Sequence, residues 1–253
     1  MLAGERHKRI VDLVNTQGFV QVKELAKIFN VSEDSIRKDL KILENKQLIT
    51  RIHGGATTTR QNVHAYNVAD RRNTNTEGKD IIAKKAITLI HNKDVVYLDI
   101  STSSLALARL IVKERLEITV LTNMIDIMNL LKDDPYVSLI FIGGHLNHGT
   151  DGFVGSATIE MLRDFKYDLA FLGVVGVNME SNTVMTYDID DGLTKKQIMR
   201  NAQASYMLCE HEKCSREGHY IYAALDDFRG FITDTILNDN EEKILISKDV
   251  EIL

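Results

Sequence analysis

Apolar positions recur at helical spacing through the first part of the chain, then give way to an alternation of helix and strand. Ile10, Leu13 and Val14 predict a helix over about Ala3–Gln17 that Gly18 would end. "FVQVKELAKIF" predicts a short β-like entry at Phe19–Val20, followed by a helix with Leu25, Ala26 and Phe29 on one face. Asn30-Val31 turns the chain. Ser32 is a suitable N-cap, and Glu33 and Asp34 follow in the first turn, where the helix dipole favours anions. A third helix runs to about Lys46 with Ile36, Leu40 and Leu43 inward. "LITRIHGGA" then alternates apolar and polar residues, as a two-stranded wing does.

Residues 57–78 are polar without a sustained period and read as a linker. From Lys79 onward, "DVVYLDI", "EITVLTN", "VSLIFIGG", "YDLAFLGVVGV" and "SYMLCE" read as strands, and "GFITD" and "KILI" as late strands. "DIIAKKAITLI", "SLALARLIVKE", "IDIMNLLKD", "SATIEMLRDF" and "KKQIMRNA" read as helices between them. Strands separated by helices of about ten residues predict a mostly parallel sheet with helices on both faces. The expected division is residues 1–56, a linker over 57–78, and an α/β domain over 79–253.

Composition changes this picture in three ways. A length of 253 residues with 44% hydrophobic and 26% charged residues suits about two globular domains. No apolar run is long enough to span a bilayer, and "MLAGERHKRI" lacks an apolar h-region, so no membrane partner and a cytoplasmic location are expected. The net charge of −5 is uneven: residues 1–60 carry +4 and the remainder −9. A basic head on an acidic body points the head toward a polyanion.

The stretch "SIRKDLKILENKQLITRIHGGA" supplies the chemistry for such a partner. Helix, turn, helix and wing is the arrangement that places one helix in the major groove of double-stranded DNA. Ser35, Arg37 and Lys38 lie in the first half of the third helix, away from Ile36 and Leu40. Arginine can bridge guanine O6 and N7, and serine can bond a groove edge or a phosphate. Lys41 is better placed for phosphates, as are Arg51 and His53 on the wing, which can also reach the minor groove. A solvated cationic face is the plain alternative for Arg37 and Lys38, and the complete helix–turn–helix–wing set argues against it.

In the body, "DVVYLDISTSSLALARL" ends a strand at Asp99, makes a hydroxyl-rich turn, and starts a helix at about Ser104. Free helix N–H groups with Ser101, Thr102 and Ser103 could hold a phosphate without any cofactor, although a plain N-cap would look similar. Thr122 and Asn123, Gly143 and Gly144, and Gly173 and Gly176 also fall at strand ends, where ligands of open parallel sheets bind. Lys195 and Lys213 could add positive charge, though either alone reads as a surface lysine.

"VSEDSIRKDLKILENKQLITRIHGGA" resembles the N-terminal signature of the DeoR family of bacterial transcriptional regulators, with Ser35 in place of the usual Thr and Lys38 in place of a second Arg. Lys38 keeps the charge but not the bidentate fork. The body, from 79 to about 235, resembles that family's effector domain, which is similar in fold to ribose-5-phosphate isomerase. The family's Asp-x-Gly-Thr-Thr loop corresponds to Asp99-Ile100-Ser101-Thr102-Ser103. Its Thr-Asn pair is Thr122-Asn123, its Gly-Gly is Gly143-Gly144, and its Asp-x-Ala-Phe-Leu-Gly strand runs from Asp168 to Gly173. Asp191 before Thr194-Lys195 replaces a Glu, and Glu210 with Lys213 replaces an Asp-x-x-Lys. Ser101 replaces a glycine, which predicts a tighter pocket. The resemblance implies a repressor of carbohydrate metabolism, a homo-oligomer, whose DNA affinity answers to a phosphorylated sugar.

Three other readings compete. Asp99, Asp168, Asp191 and Lys195 could act as acid and base groups of an isomerase-like enzyme, but no nucleophile elbow, P-loop or dinucleotide fingerprint is present. Cys209, His211, Cys214 and His219 crowd together, and His145 and His148 lie three apart, but neither spacing is that of a zinc site, so no metal is expected. A DNA-binding protein without an effector would leave the same head and a body with no ligand.

Overall fold

The computed structural model describes residues 3–17, 19–46, 48–52, 54–58 and 71–253. The chain divides into two compact units, Met1–Ala65 and Tyr66–Leu253.

In the first unit, helices α1 (Ala3–Gln17), α2 (Val22–Phe29) and α3 (Glu33–Asn45) enclose one apolar core. Ile10, Val14, Leu25, Ile36, Leu40 and Leu43 are almost wholly buried there, as the helical period predicted. Asn30 ends α2 in the left-handed conformation, and the Ser32 side chain caps α3 by accepting from the Ser35 N–H. The wing has three strands where two were expected. Strand β1 (Phe19–Gln21) pairs with β3 (Gly55–Thr58), which pairs with β2 (Ile49–Ile52), all antiparallel. The two glycines serve different ends. Gly54 takes a φ of +80° at the turn, and Gly55 lies against β1, where a Cβ would sit 2.1 Å from the Val20 carbonyl oxygen.

The second unit is built on a seven-stranded, all-parallel sheet. Its strands are β4 (Val95–Leu98), β5 (Ile118–Thr122), β6 (Val137–Phe141), β9 (Tyr167–Gly173), β12 (Ala202–Cys209), β14 (Gly230–Thr233) and β15 (Glu251–Ile252). Their spatial order is β15-β14-β12-β9-β4-β5-β6. Strand side chains alternate between two cores: Val96 and Leu98 point into one, and Tyr97 points into the other. Helices α4 (Thr76–Ile87), α5 (Thr102–Glu114) and α6 (Ile125–Leu131) cover the first face. Helices α7 (Ser156–Leu162), α8 (Ile189–Asn201) and α9 (Asp239–Ser247) contribute Leu162, Ile198 and Leu245 to the second.

The chain proceeds from β4 outward to β6, then returns to the other side of β4 as β9 and continues to β15. The direction of winding therefore reverses between β4 and β9, and their carboxyl ends form the topological switch point of the sheet. A hairpin, β7 (His145–Asn147) with β8 (Gly152–Val154), and an antiparallel set, β10 (Gly176–Asn178), β11 (Thr183–Thr186) and β13 (Tyr220–Ala223), were not expected.

Two expectations fail on local chemistry. "KILI" lies inside α9 rather than in a strand, because Asn238 and Glu241 form a capping box that starts a helix just before it. The linker expected over 57–78 overlaps α4, which begins at Thr76 under an N-cap from Asn75; residues 59–70 lie outside the described residues. Among the described residues, no helix is long and apolar enough to cross a membrane.

Candidate functional site

In the first unit, the candidate DNA-reading residues sit on the outward side of α3. Arg37, Lys38 and Lys41 are exposed, and Ser35 is half-buried with its hydroxyl 3.0 Å from that of Ser32. The Arg37 guanidinium pairs with half-buried Glu33 and exposed Asp34 at 2.8 Å each. Such pairs contribute less than about 1 kcal/mol and are readily exchanged for another acceptor. Arg51 is exposed on β2, and its main-chain N–H donates to Glu44 at 3.1 Å. His53 lies outside the described residues. Asp39, between the outward cations, was not singled out in sequence. It is buried, and it accepts from Arg6 at 2.6 and 3.2 Å and meets His7 Nε2 at 2.8 Å, so α3 is locked to α1. Burial works to raise its pKa, but the bonds from Arg6 and His7 outweigh it and hold the carboxyl below the usual range.

In the second unit, the switch point gathers a buried ionic cluster. Alternation along β4 puts Asp99 on the Tyr97 side of the sheet, facing α8. On α8, Asp191 and Lys195 are four residues apart and share one face. Lys195 Nζ donates to Asp99 Oδ2 and, at 3.1 Å, to the Gly173 carbonyl; Asp191 lies 3.9 Å away. Asp99 Oδ2 also accepts from the Gly173 N–H at 3.1 Å, and Asp191 accepts from Thr186 at 2.6 Å. Lys195 is only 4% exposed, so the surface reading of this lysine was wrong. Burial pushes the Asp191 pKa up, with Lys195 opposing. Burial also disfavours the Lys195 charge, but the two carboxylates overcome it and its pKa rises.

The turn after β4 starts α5. Ser101 is the N-cap: its hydroxyl accepts from the Ser104 N–H at 3.0 Å and donates to the Ser104 hydroxyl at 2.8 Å. Its φ of −148° is extended backbone, so the serine stands here without strain. The first turn leaves the Thr102 and Ser103 N–H groups outside the helical ladder. Asp99 Oδ1 and Ser103 Oγ, in residues each 1% exposed, have no hydrogen-bond partner among the described residues. Asn123 Oδ1 is in the same condition, while its Nδ2 donates to the Phe153 carbonyl at 2.7 Å. Buried polar atoms without partners are rare in folded proteins and mark places where a ligand or water bonds.

Other expected residues serve the frame. Thr122 accepts from the Met124 N–H at 3.2 Å. Gly144, at φ +146°, lies against Thr158, which donates to the Gly143 carbonyl at 2.9 Å. Gly173 meets Ser101 rather than a ligand: a Cβ there would lie 2.3 Å from Ser101 Cβ. Gly176 likewise meets the Arg216 backbone. Lys213 pairs with Glu210 at 2.8 Å. Asp168 is at the opposite, amino end of β9, where it accepts from the Val95 N–H and from Gln203, so it is no part of the site. His211 pairs with Glu241, and Cys209 is fully buried. Among the described residues, no three His, Cys, Asp or Glu side chains are arranged to hold a metal ion.

Sequence reasoning missed Arg71, Asn75 and Lys79, which sit in or beside the stretch read as a linker. Asn75 Nδ2 donates to Glu210 at 3.3 Å and Asp234 at 3.1 Å. Lys79 is buried and donates to the carbonyls of Arg71, at 2.5 Å, and Thr74. The unbroken polarity of "DRRNTNTEG" was the available signal, and it indicated a loop as readily as a site.

A winged helix joined to an α/β unit with unpartnered polar atoms at its strand ends has the build of a ligand-responsive transcriptional regulator. The DeoR-like helix-turn-helix domain matches residues 6–62, and the DeoR C terminal sensor domain matches residues 74–235. The chain belongs to the DeoR family. It is 32% identical to the glycerol-3-phosphate regulon repressor of Escherichia coli, over 84% of this chain and 83% of that one. It is 31% identical to the HTH-type transcriptional repressor GlcR of Bacillus subtilis, over 100% and 96%. It is 30% identical to the lactose phosphotransferase system repressor of Staphylococcus aureus, over 95% and 94%. Among solved structures, ribose 5-phosphate isomerase A of Methanocaldococcus jannaschii aligns over 55% of each chain, with 17% identity and a TM-score of 0.41.

Proposed function

We propose that this chain is an operator-binding repressor of carbohydrate metabolism, and that a phosphorylated sugar held at the β4/β9 switch point sets its DNA affinity. The observation that carries the effector reading is the pair of buried, unpartnered atoms Asp99 Oδ1 and Ser103 Oγ in one strand-end turn. A carboxylate oxygen without a donor calls for a ligand hydroxyl. Free N–H groups at the start of α5 call for an anion. One molecule with both is a phosphorylated polyol, and relatives named for the glycerol-3-phosphate regulon and the lactose phosphotransferase system support the class.

Asp99, Asp191 and Lys195 then orient hydroxyls, Ser101, Thr102 and Ser103 frame the phosphate, and Thr122, Asn123, Gly143, Gly144 and Gly173 shape the strand ends. Lys213 acts from the rim through Glu210. In the head, Ser35, Arg37 and Lys38 read bases, while Lys41, Arg51 and His53 hold the backbone. The protein works in the cytoplasm as a homo-oligomer, because two half-sites of an operator need two heads. Effector binding shifts the body between two arrangements of different affinity for it, and operator affinity falls.

Fluorescence anisotropy with DNA from upstream of the protein's own gene, with and without a panel of pentose, hexose and triose phosphates, tests both halves. Loss of specific binding with one compound is expected. Specific binding indifferent to any compound that calorimetry shows to bind would overturn the coupling. Arg37→Ala is expected to cost about 1–3 kcal/mol on the operator and little on random DNA; equal losses would make Arg37 a phosphate contact instead.

A further inference from the structure

Arg71 lies between the two family matches, which end at residue 62 and begin at residue 74. Its neighbour Arg72 is committed to structure, pairing with Asp126 and, at 3.2 Å, with Asp151. Arg71 is not. The residue is half-buried, its Nε is buried without a partner among the described residues, and its Nη2 reaches the Gly149 carbonyl only at 3.5 Å. Burial holds its pKa below that of a free guanidinium, while the charges of Asp191, Tyr187, Glu210 and Asp99 act on it in the other direction. None of those carboxylates forms an ion pair with it among the described residues. A half-buried, always-charged fork of five donors with so few acceptors is suited to a planar bidentate partner.

The backbone on either side of this guanidinium is held by polar bonds. Lys79 Nζ, itself buried, donates to the carbonyls of Arg71 and Thr74. Asn75, at a φ of +46°, caps α4 through the Gly78 N–H and bridges Glu210 and Asp234. The segment 71–75 therefore rests on the strand-end region through directional bonds. Networks of this kind are among the physical links that carry coupling between sites.

We propose that Arg71 takes the anionic group of the effector, with a phosphate as its chemical class, and so couples the site to the chain segment that leads back to the helix-turn-helix unit. This rests on the effector reading above and adds to it the residue that carries the signal. An anion drawing the guanidinium inward pulls on main chain already clamped by Lys79 and Asn75. The two states of the body then differ in where residue 71 is held, and a ligand with different affinity for them shifts their populations.

The test uses the full chain, inorganic phosphate as the probe, and calorimetry in phosphate-free buffer, with Ser103→Ala, Arg71→Gln and Arg71→Lys as variants. Arg71→Gln is expected to weaken phosphate binding about 10- to 100-fold, the range for losing hydrogen bonds to a charged group. Arg71→Lys keeps the charge, loses the fork and falls between, which also covers the case in which the glutamine variant fails to fold. At saturating phosphate, Arg71→Lys is expected to show a smaller change in operator affinity than the natural protein. Equal phosphate affinity in Arg71→Gln, with a loss in Ser103→Ala, overturns the role of Arg71 and leaves the anion site at α5 standing. An undiminished operator response in Arg71→Lys overturns the coupling. Failure of the natural chain to bind phosphate at millimolar concentrations removes the effector reading and this inference with it.

Discussion

Replacing Lys195 with methionine tests whether the ionic cluster at the switch point is a desolvated unit. The side chain is nearly isosteric, so the change removes a charge with little change in volume. Asp99 and Asp191, 1% and 8% exposed, would then face each other without their cation. Breaking a buried pair by deleting one partner costs about 3–5 kcal/mol, because the remaining charge stays in low dielectric. For a unit of this size each kcal/mol moves the unfolding midpoint by about 2–4 °C, so a fall of about 10 °C is expected at pH 7.

The pH dependence separates this cause from lost packing. The folded pKa of Lys195 is raised, so its contribution is complete below the unfolded lysine value near ~10.4 and disappears only as pH rises through the folded value. At pH 7 the natural protein therefore has the full benefit. The folded pKa of Asp191 is also raised, so its burial is most favourable below ~3.9 and loses ground as pH rises through the folded value. Without Lys195 only the weaker Thr186 hydrogen bond opposes that rise, and the deficit of the variant should shrink as pH is lowered from 8 to 5. Thermal unfolding followed by circular dichroism across that range reads the effect. A deficit below about 1 kcal/mol, or one that does not change with pH, would refute the reasoning, since solvated charges behave that way.

Two further outcomes follow from close contacts. Gly173→Ala places a Cβ 2.3 Å from Ser101 Cβ, an atom fixed by its backbone, and should destabilise by about 1–3 kcal/mol. Ser101→Gly costs only a few tenths as an N-cap change, about 0.3 kcal/mol, and should rescue most of that loss in the double variant, as chemical unfolding would show. In the head, Asp39→Ala leaves Arg6 and His7 without their acceptor and should cost about 3 kcal/mol at pH 7 in urea unfolding. Because the folded pKa of Asp39 is lowered, its contribution is present above the unfolded value near ~3.9 and is lost as pH falls through the folded value, so variant and natural protein should converge below about pH 4.

Much of the molecule was legible along the chain. The periods of Ile10, Val14, Ile36, Leu40 and Leu43 define a core because a helix repeats every 3.6 residues, and α1 to α3 form where that period places them. The strand-end residues Asp99 and Ser101 were found because a parallel strand must be followed by a turn and a helix, and a hydroxyl at that position caps the helix. Local signals also misled. "KILI" has the composition of a strand, and the capping box of Asn238 and Glu241 just upstream made it helix. Lys195 looked like a solvated cation because nothing in "TKKQI" distinguishes which of two lysines turns inward; Lys196 next to it lies over the Tyr220 ring, 5.2 Å from its centre.

What the sequence determined by itself is what local physics controls: three helices and their caps, the alternation of strands and helices, and a hydroxyl turn at the end of β4. What only the tertiary structure decided is which distant groups meet. Asn75 reaches Asp234 across 159 positions, Lys195 reaches Asp99 across 96, and Arg71 leaves an apparent linker to lie among carboxylates from α8 and the end of β12. No periodicity encodes such pairings. They arise when the order of parallel strands reverses beside β4 and brings several strand ends, with the turns that follow them, to one edge of the sheet.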